Sequence, residues 1–549
     1  MASKQEDIKA NHAEEPVEPV ALVEEAQGNI EKEPDFLGFV QDATDSEHRM
    51  SFFDGLRIYP KAAAWSVALS SCLIMEGFDK ALLGSLYAFP SFQRRFGVLQ
   101  PDGSYEVTAP WQAGLSNGAH VGEIIGLLAS GILTERYGYR KVIIGSLTLM
   151  IGFIFLMFFA VDIGMLQAGY VLTGIPWGVF QTITTIYAAE VCPVALRPYL
   201  TTYVNLCWVM GQFISAGVLR GFVGWSADNN WAWRIPYSIQ WVFPVPISIA
   251  VILAPESPWW LVRKGRVEDA RKSLLRLTSR AMQTKSDFDP RKTIAMMIHT
   301  NEMEQEAVAG TSYLDCFRGS NLRRTEIACA VWSIQNLCGN SFMGYSTYFY
   351  KQAGLPTTQS FNMTLGQGGI AAVGTLGSWV LMSHFGRRTL YTYGLVALDV
   401  ALFVIGIISV TGKSAASSWA TGSMLLVFVL CYNLSVGPVC YSLVAEMPST
   451  RLRPKTVVLA RSIYNVFGII NAFLTPYMLN PSKWNWAGKA GFFWGGICAL
   501  CALYCFFRLP EPAGKTYGDM DILFENRVSA RKFGKAVVNT AENTVSNVN

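Results

Sequence analysis

An all-α membrane protein, with twelve transmembrane helices in two six-helix pseudo-symmetric halves, is predicted by three features of the sequence. Charged residues are scarce, apolar runs recur twelve times, and a set of motifs repeats at an offset near 250 residues. Of 549 residues, 15% are charged and 51% hydrophobic, against roughly 25% charged in soluble domains. The net charge of +4 is too small to suggest a nucleic-acid surface.

The runs, numbered as spans 1–12, lie near 62–87, 111–133, 142–161, 166–188, 199–222, 235–253, 326–350, 364–384, 389–410, 420–444, 457–479 and 489–508. Each is close to the ~20 residues that cross a bilayer. Residues 1–55 are acidic and polar, without an apolar leader, and read as a disordered cytosolic N-terminal tail. The first six-helix half occupies 56–253 and the second 326–508. Between them, 254–325 reads as a cytosolic central loop with short helices, and 509–549 as a cytosolic C-terminal tail. Basic clusters in ERYGYRK, the central loop, FGRR and STRLRPK share one side if both termini are cytosolic, as the excess of Lys and Arg on cytoplasmic loops requires.

The eleven cysteines fall mostly inside apolar runs, where a thiol packs as a small hydrophobe. Cys498 and Cys501 form a CxxC within a span, which reads as packing rather than as redox or metal chemistry. The GKS at 412–414 lacks the earlier glycine of a phosphate loop. No cofactor, metal site or catalytic constellation is expected. Asn362 heads the one external glycosylation sequon considered, close to a span.

Duplication is read directly. GILTERYGYRK (131–141) is echoed by VLMSHFGRRTL (380–390), AAEVCPVALRP (188–198) by VAEMPSTRLRP (444–454), and PESP (255–258) by PEP (510–512). Parallel halves of this kind place a substrate site near the midplane between them. Within the spans, MEGFDK (75–80) puts Glu76 and Asp79 in an apolar run, and SNGAHVGEIIG adds His120 and Glu123 in span 2. A lone charge at mid-bilayer costs roughly 2.5–3.5 kcal/mol on insertion scales, so these groups need partners or a function. Arg461 in LARSIYNV of span 11 reads as the best buried cation, and Lys80 as a residue that snorkels or pairs with Glu76.

These residues resemble the sugar-porter branch of the major facilitator superfamily over roughly 60–525. GILTERYGYRK and FGRR resemble its loop motifs, PESPWWL its signature after span 6, and LPEPAGKT, imperfectly, its signature after span 12. Within that branch, IQNLCGNSFMGYSTYFYKQAGL (334–355), GPVCYSLVAEMPSTRLRPKTVVLARSIYNV (437–466) and NPSKWNWAGKAGFFWGG (480–496) look like the fungal α-glucoside (maltose) permeases. The resemblance implies the major facilitator fold and proton-coupled disaccharide uptake across the plasma membrane.

It also implies site residues. Asp79 in GFDKALLGS sits where the family keeps its protonated aspartate, while span 4 has no central arginine to pair with it. Glu76, Asp79 and Glu123, with His120 and Arg461, form the proton-coupling set. The sugar-binding set is Gln335, Asn336, Asn340 and Ser341 of span 7, Asn205 and Gln212 of span 5, Asn433 and Tyr441 of span 10, and Asn465 of span 11. Neutral amides and aromatic faces suit sugar hydroxyls and pyranose rings; the competing role for such amides is helix–helix bonding. Glu135, Arg136, Arg140, Arg387 and Arg388 are expected in cytosolic charge networks, with Glu190–Arg197 and Glu446–Arg453 as matching latches. Expected partners are a disaccharide, protons and lipid. The chain is expected to act as a monomer, and Lys4, Lys9 and Lys32 are candidate ubiquitin acceptors for ubiquitin-ligase adaptors. An uncoupled hexose or lactose/cellobiose-type facilitator and a non-transporting sugar sensor are the alternatives.

Overall fold

The computed structural model describes residues 36–101, 103–193, 195–279, 289–308, 312–412, 414–449, 452–513, 515, 517–539 and 544–546. Lys4, Lys9 and Lys32 lie outside them. Twelve helical segments cross one bundle in two sets of six. Span 1 is Pro60–Ser70 with Cys72–Leu86, span 2 Ala109–Tyr137, span 3 Tyr139–Phe158, span 4 Ile163–Val191, span 5 Arg197–Phe222 and span 6 Trp231–Leu253. The second set is Gly319–Gln352 in three pieces, Thr357–His384, Arg387–Val410, Ala415–Glu446, Arg453–Leu479 and Ala490–Arg508.

Among the described residues, nine helices are long and apolar enough to cross a membrane, ten with span 1. The two that fall short, spans 2 and 7, are interrupted by polar residues or by a break. Span 2 includes Asn117, His120 and Glu123. Span 7 is interrupted at Cys338–Asn340, where Gly339 adopts φ +89°, a left-handed conformation that glycine reaches without a Cβ clash.

Close helix contact is built on glycine. A Cβ on Gly174 would lie 2.9 Å from the Gly122 Cα, and one on Gly178 2.7 Å from the Leu127 nitrogen, so spans 2 and 4 meet backbone to backbone. Small residues four apart permit this approach in membranes, where van der Waals contact replaces the hydrophobic drive. Spans 1 and 5 repeat the device: a Cβ on Gly211 would sit 2.6 Å from the Phe78 nitrogen.

The expectation of a disordered tail through residue 55 is corrected over its last third. Phe36–Arg49 and Phe52–Ile58 are helices. The first packs on Pro290–Val308 of the central segment, with Lys292 bonded to Asp42 at 2.7 Å and stacked over Phe39. The second turns 91° into span 1, after a Ser51–Asp54 capping box that satisfies its first N–H groups. The sequon is corrected too. Asn362 lies inside span 8, and its side chain is engaged by Arg220 and Gln359.

Side-chain hydrogen bonds between the halves, among the described residues, gather at the end of the bundle away from the central segment. Tyr345 stacks on Tyr87 at 5.7 Å and bonds Ser116 at 2.7 Å. Lys351 reaches Gln93 at 2.6 Å, and Tyr348 and Gln352 both reach Glu106. This end is sealed.

Gly174→Val should introduce overpacking strain of about 1–3 kcal/mol and abolish a monodisperse peak in detergent size exclusion. Gly152→Val, where a Cβ meets nothing within 4 Å, should leave that peak intact.

Candidate functional site

Between the halves lies a cavity of about 310 Å³. Eight of the nine sugar-binding candidates line it: Gln335, Asn336, Asn340, Ser341, Asn205, Gln212, Asn433 and Tyr441. Asn465 does not, and this corrects the sequence reading. On span 11 the cavity face runs Arg461, Tyr464, Gly468, Asn471, a helical repeat from which Asn465 is turned by one residue. Asn471 is the amide the sequence reading missed; at about 100° per residue from Arg461, helical phase alone does not single it out over Asn465.

The amides are held by backbone. Gln335 Nε2 donates to the Gly437 carbonyl at 2.9 Å and Asn336 Nδ2 to the Tyr464 carbonyl at 2.9 Å. Asn471 Nδ2 donates to the Asn336 carbonyl at 2.6 Å. The amide oxygens of Gln335 and Asn336 are thus the groups with spare capacity at the wall. Asn205 Nδ2 makes no hydrogen bond among the described residues. Asn433 is different: its nitrogen bonds Val429 and its oxygen accepts from Thr375, so its polar groups are spent on helix contacts. Aromatic faces complete the wall, with Trp208 6.3 Å from Tyr441, and Trp332 backs Tyr441 at 6.2 Å.

The charged wall departs from expectation. Lys80, not Arg461, is the cation among the acids. Its Nζ lies 2.8 Å from Glu76 Oε1 and 2.6 Å from Glu123 Oε1, one turn along span 1 and across to span 2. Gln181 Nε2 donates to the same Glu76 oxygen at 2.6 Å, and the Arg461 guanidinium donates to Gln181 Oε1. Arg461 also stacks over Tyr464 at 4.6 Å and Trp332 at 5.3 Å. His120 Nδ1 lies 3.3 Å from Glu123 Oε2. One chain of contacts therefore runs from span 11 to span 2. Gln181, absent from the sequence reading, joins the halves.

Asp79 stands apart, a second correction to the picture of three clustered acids. It is fully buried, points away from the cavity, and accepts from Gln240 Nε2 of span 6 at 2.8 Å. Its Oδ2 has no hydrogen-bond partner among the described residues. A further intramembrane acid, Asp399 in span 9, is half-buried near Cys498 of span 12, outside the cavity.

At the central-segment end the two halves repeat one arrangement. Glu256 accepts from the backbone nitrogens of Tyr139 and Arg140, and Glu511 from those of Arg388 and Thr389. Each carboxylate thereby caps a span N-terminus, where it also meets the positive end of the helix dipole. A Cβ on Gly138 would lie 2.7 Å from Glu256, and one on Gly386 would overlap Glu511, which explains the glycine in both loop motifs. Arg140 donates to the Val251 carbonyl and Arg388 to that of Phe506.

The expected latches are re-paired. Glu190 meets Arg263 at 2.6 Å and the Tyr139 hydroxyl at 2.9 Å, while Arg197 Nε donates to the Cys192 carbonyl. Glu446 meets Arg387 at 3.5 Å; Arg453 opens span 11 without joining that pair. Glu135 and Arg136 are exposed and outside these networks: the Glu135 carbonyl accepts from Trp260, and Arg136 stacks over Tyr137.

Residues 65–524 match the family described as "Sugar (and other) transporter". The chain belongs to that family. Its members transport rather than catalyse. Among curated relatives, a general alpha-glucoside permease of Saccharomyces cerevisiae is 42% identical over 516 residues, 94% of this chain and 83% of that protein. A maltose permease of the same yeast is 41% identical over 541 residues, covering 96% and 86%. Among solved structures, the partially occluded inward-open xylose transporter XylE from E. coli superposes with TM-score 0.66 at 19% identity, covering 83% of this chain and 99% of that one. This shared fold is the twelve-helix major facilitator architecture, as the sequence predicts.

Burial pushes the Glu256 carboxyl up from its ordinary value, against three backbone N–H donors that favour its anion. A group raised in the folded state adds stability below its unfolded value and loses it as pH rises through the folded one. Glu256→Gln should therefore flatten the part of the melting-temperature profile of the purified protein that falls as pH rises above the ordinary carboxylate range.

Proposed function

We propose that this protein carries a disaccharide of the α-glucoside class, together with protons, into the cell across the plasma membrane by alternating access. The observation that carries this reading is the cavity between the halves. It presents amide oxygens and aromatic faces without a net charge on its sugar side, which suits a neutral polyol. The names of the yeast relatives, at 41–42% identity over most of the chain, support the substrate class.

Proton coupling rests on Asp79. An ionised carboxylate in a membrane interior without a cation paired to it is costly, so it binds a proton readily. Glu76 and Glu123 share Lys80 as an ion-pair partner, and that pairing favours the second reading, an uncoupled facilitator. One proton crossing ~150 mV contributes about 3.5 kcal/mol, enough for accumulation of several hundredfold. Both termini and the central segment face the cytosol in this reading, so the sealed end is external and the cavity opens inward.

The deciding measurement is external pH on adding maltose to weakly buffered cells that express the protein and lack other permeases. Alkalinisation is expected, and Asp79→Asn should abolish it. Labelled maltose entering with no pH change establishes the facilitator. If neither moves, the substrate is another disaccharide, and a panel of β-linked sugars follows. Gln335→Ala should raise half-saturation about 5–10-fold, the worth of one hydrogen bond of about 1–1.5 kcal/mol, measured by uptake at graded maltose.

A further inference from the structure

The contact chain Arg461–Gln181–Glu76–Lys80–Glu123 holds two carboxylates and two fixed cations. It is electroneutral before any proton binds. Remove the charge of Lys80 and one negative charge is left over in the cavity wall. Lys80 is also well placed to serve both acids at once. It lies one turn from Glu76 on span 1, faces Glu123 across a glycine-tight region of spans 2 and 4, and rests 5.9 Å from the Trp177 ring.

We propose that Lys80 is a resident counter-cation that keeps Glu76 and Glu123 ionised through the transport cycle, so that of the three acids of spans 1 and 2 only Asp79, behind the cavity wall, takes the coupling proton. The part about Asp79 rests on the symport reading above; the part about Lys80 does not. The groups that face Lys80 are few. Span 2 brings Glu123 and His120, span 4 the neutral Gln181 and Trp177, and span 11 Arg461 and Tyr464. Spans 5, 7 and 10 contribute neutral Asn205, Asn336 and Tyr441 to the same cavity. Around Asp79 stand Gln240 and Tyr237 of span 6 and Tyr170 of span 4, with Lys80 the cation acting on it among the described residues. Consecutive residues of a helix point about 100° apart, which is how Lys80 serves the cavity wall while Asp79 is directed away from it.

The role is one of positioning and charge balance, so its test follows protonation rather than rate alone. Wild type, Lys80→Arg, Lys80→Met and the double variant Lys80→Met/Glu123→Gln are purified and their melting temperatures followed from pH 5 to pH 8, which needs no substrate. Lys80→Met leaves two facing carboxylates with one cation too few, so protonation favours its folded state. Its melting temperature should fall by several degrees relative to wild type as pH rises. Lys80→Arg should track wild type. The double variant, which removes one anion with the cation, should lose the new slope.

Labelled maltose uptake in proteoliposomes follows the same series. Lys80→Met should lose about tenfold per pH unit above its new titration and recover toward wild type at pH 5. The double variant should recover at neutral pH. Lys80→Met with the wild-type profile in both measurements overturns the proposal, as does a Lys80→Met defect that is equal at every pH and not relieved by Glu123→Gln. If wild type moves maltose without protons, the symport reading fails on its own. The appearance of a pH slope in Lys80→Met then still decides the role of Lys80.

Discussion

The membrane interior tolerates ionised side chains only in pairs, and the arrangement of this protein's two halves around its cavity follows from that constraint. Glu76, Lys80 and Glu123 cannot each be buried alone; Lys80 bridges the two carboxylates and pins span 1 to span 2, and Arg461 supplies the second positive charge that balances them. Gln181 extends the group to Arg461 on the other half. The amide can do this because it donates at one end and accepts at the other, which no ionised side chain manages. The link between the halves at mid-depth is therefore a neutral dipole between an anion and a cation. It can part without leaving either partner bare, since Glu76 keeps Lys80 and Arg461 keeps its stack on Tyr464 and Trp332.

The same logic appears at the bundle end in a different form. There Glu256 and Glu511 are matched not to side-chain cations but to backbone N–H groups at the starts of spans 3 and 9. Glycine at 138 and 386 makes room for each carboxylate. These contacts lie within each half, not between halves. They tie the spans of each half together and leave the contacts between halves to the sealed end and the cavity wall.

Most of the fold was legible in the sequence, because span length and repeat offset are set by bilayer thickness and gene-level duplication, both of which leave periodic marks. The cavity wall was legible residue by residue on spans 5, 7 and 10. What could not be read was pairing. Nothing in MEGFDK says that Lys80 turns to Glu123 rather than outward, because that depends on how closely the glycines of spans 1, 2, 4 and 5 bring their helices together. Likewise Glu190 and Arg197 sit seven apart in a repeated motif, yet Arg263, from a short helix after span 6, takes the carboxylate. Asn465 was misplaced because a motif names only a neighbourhood; helical phase from Arg461 does not separate it from Asn471, and which of the two meets the cavity depends on the surrounding helices.

Asp79 and Lys80 are adjacent in sequence but opposite in consequence. Had the two been exchanged, an aspartate would join Glu76 and Glu123 in an uncompensated cluster and a lysine would face Gln240 with no anion in reach. The order Asp–Lys instead neutralises the cavity wall that a neutral sugar must pass, and isolates one acid behind it with a single amide donor. Charge balance at the sugar surface and a charge imbalance one helical step away are thus produced by the same dipeptide. Under the symport reading proposed above, separating them is useful, because an acid that binds and releases a proton changes its charge, and a wall that changed charge with it would alter its affinity for water and for sugar at every cycle.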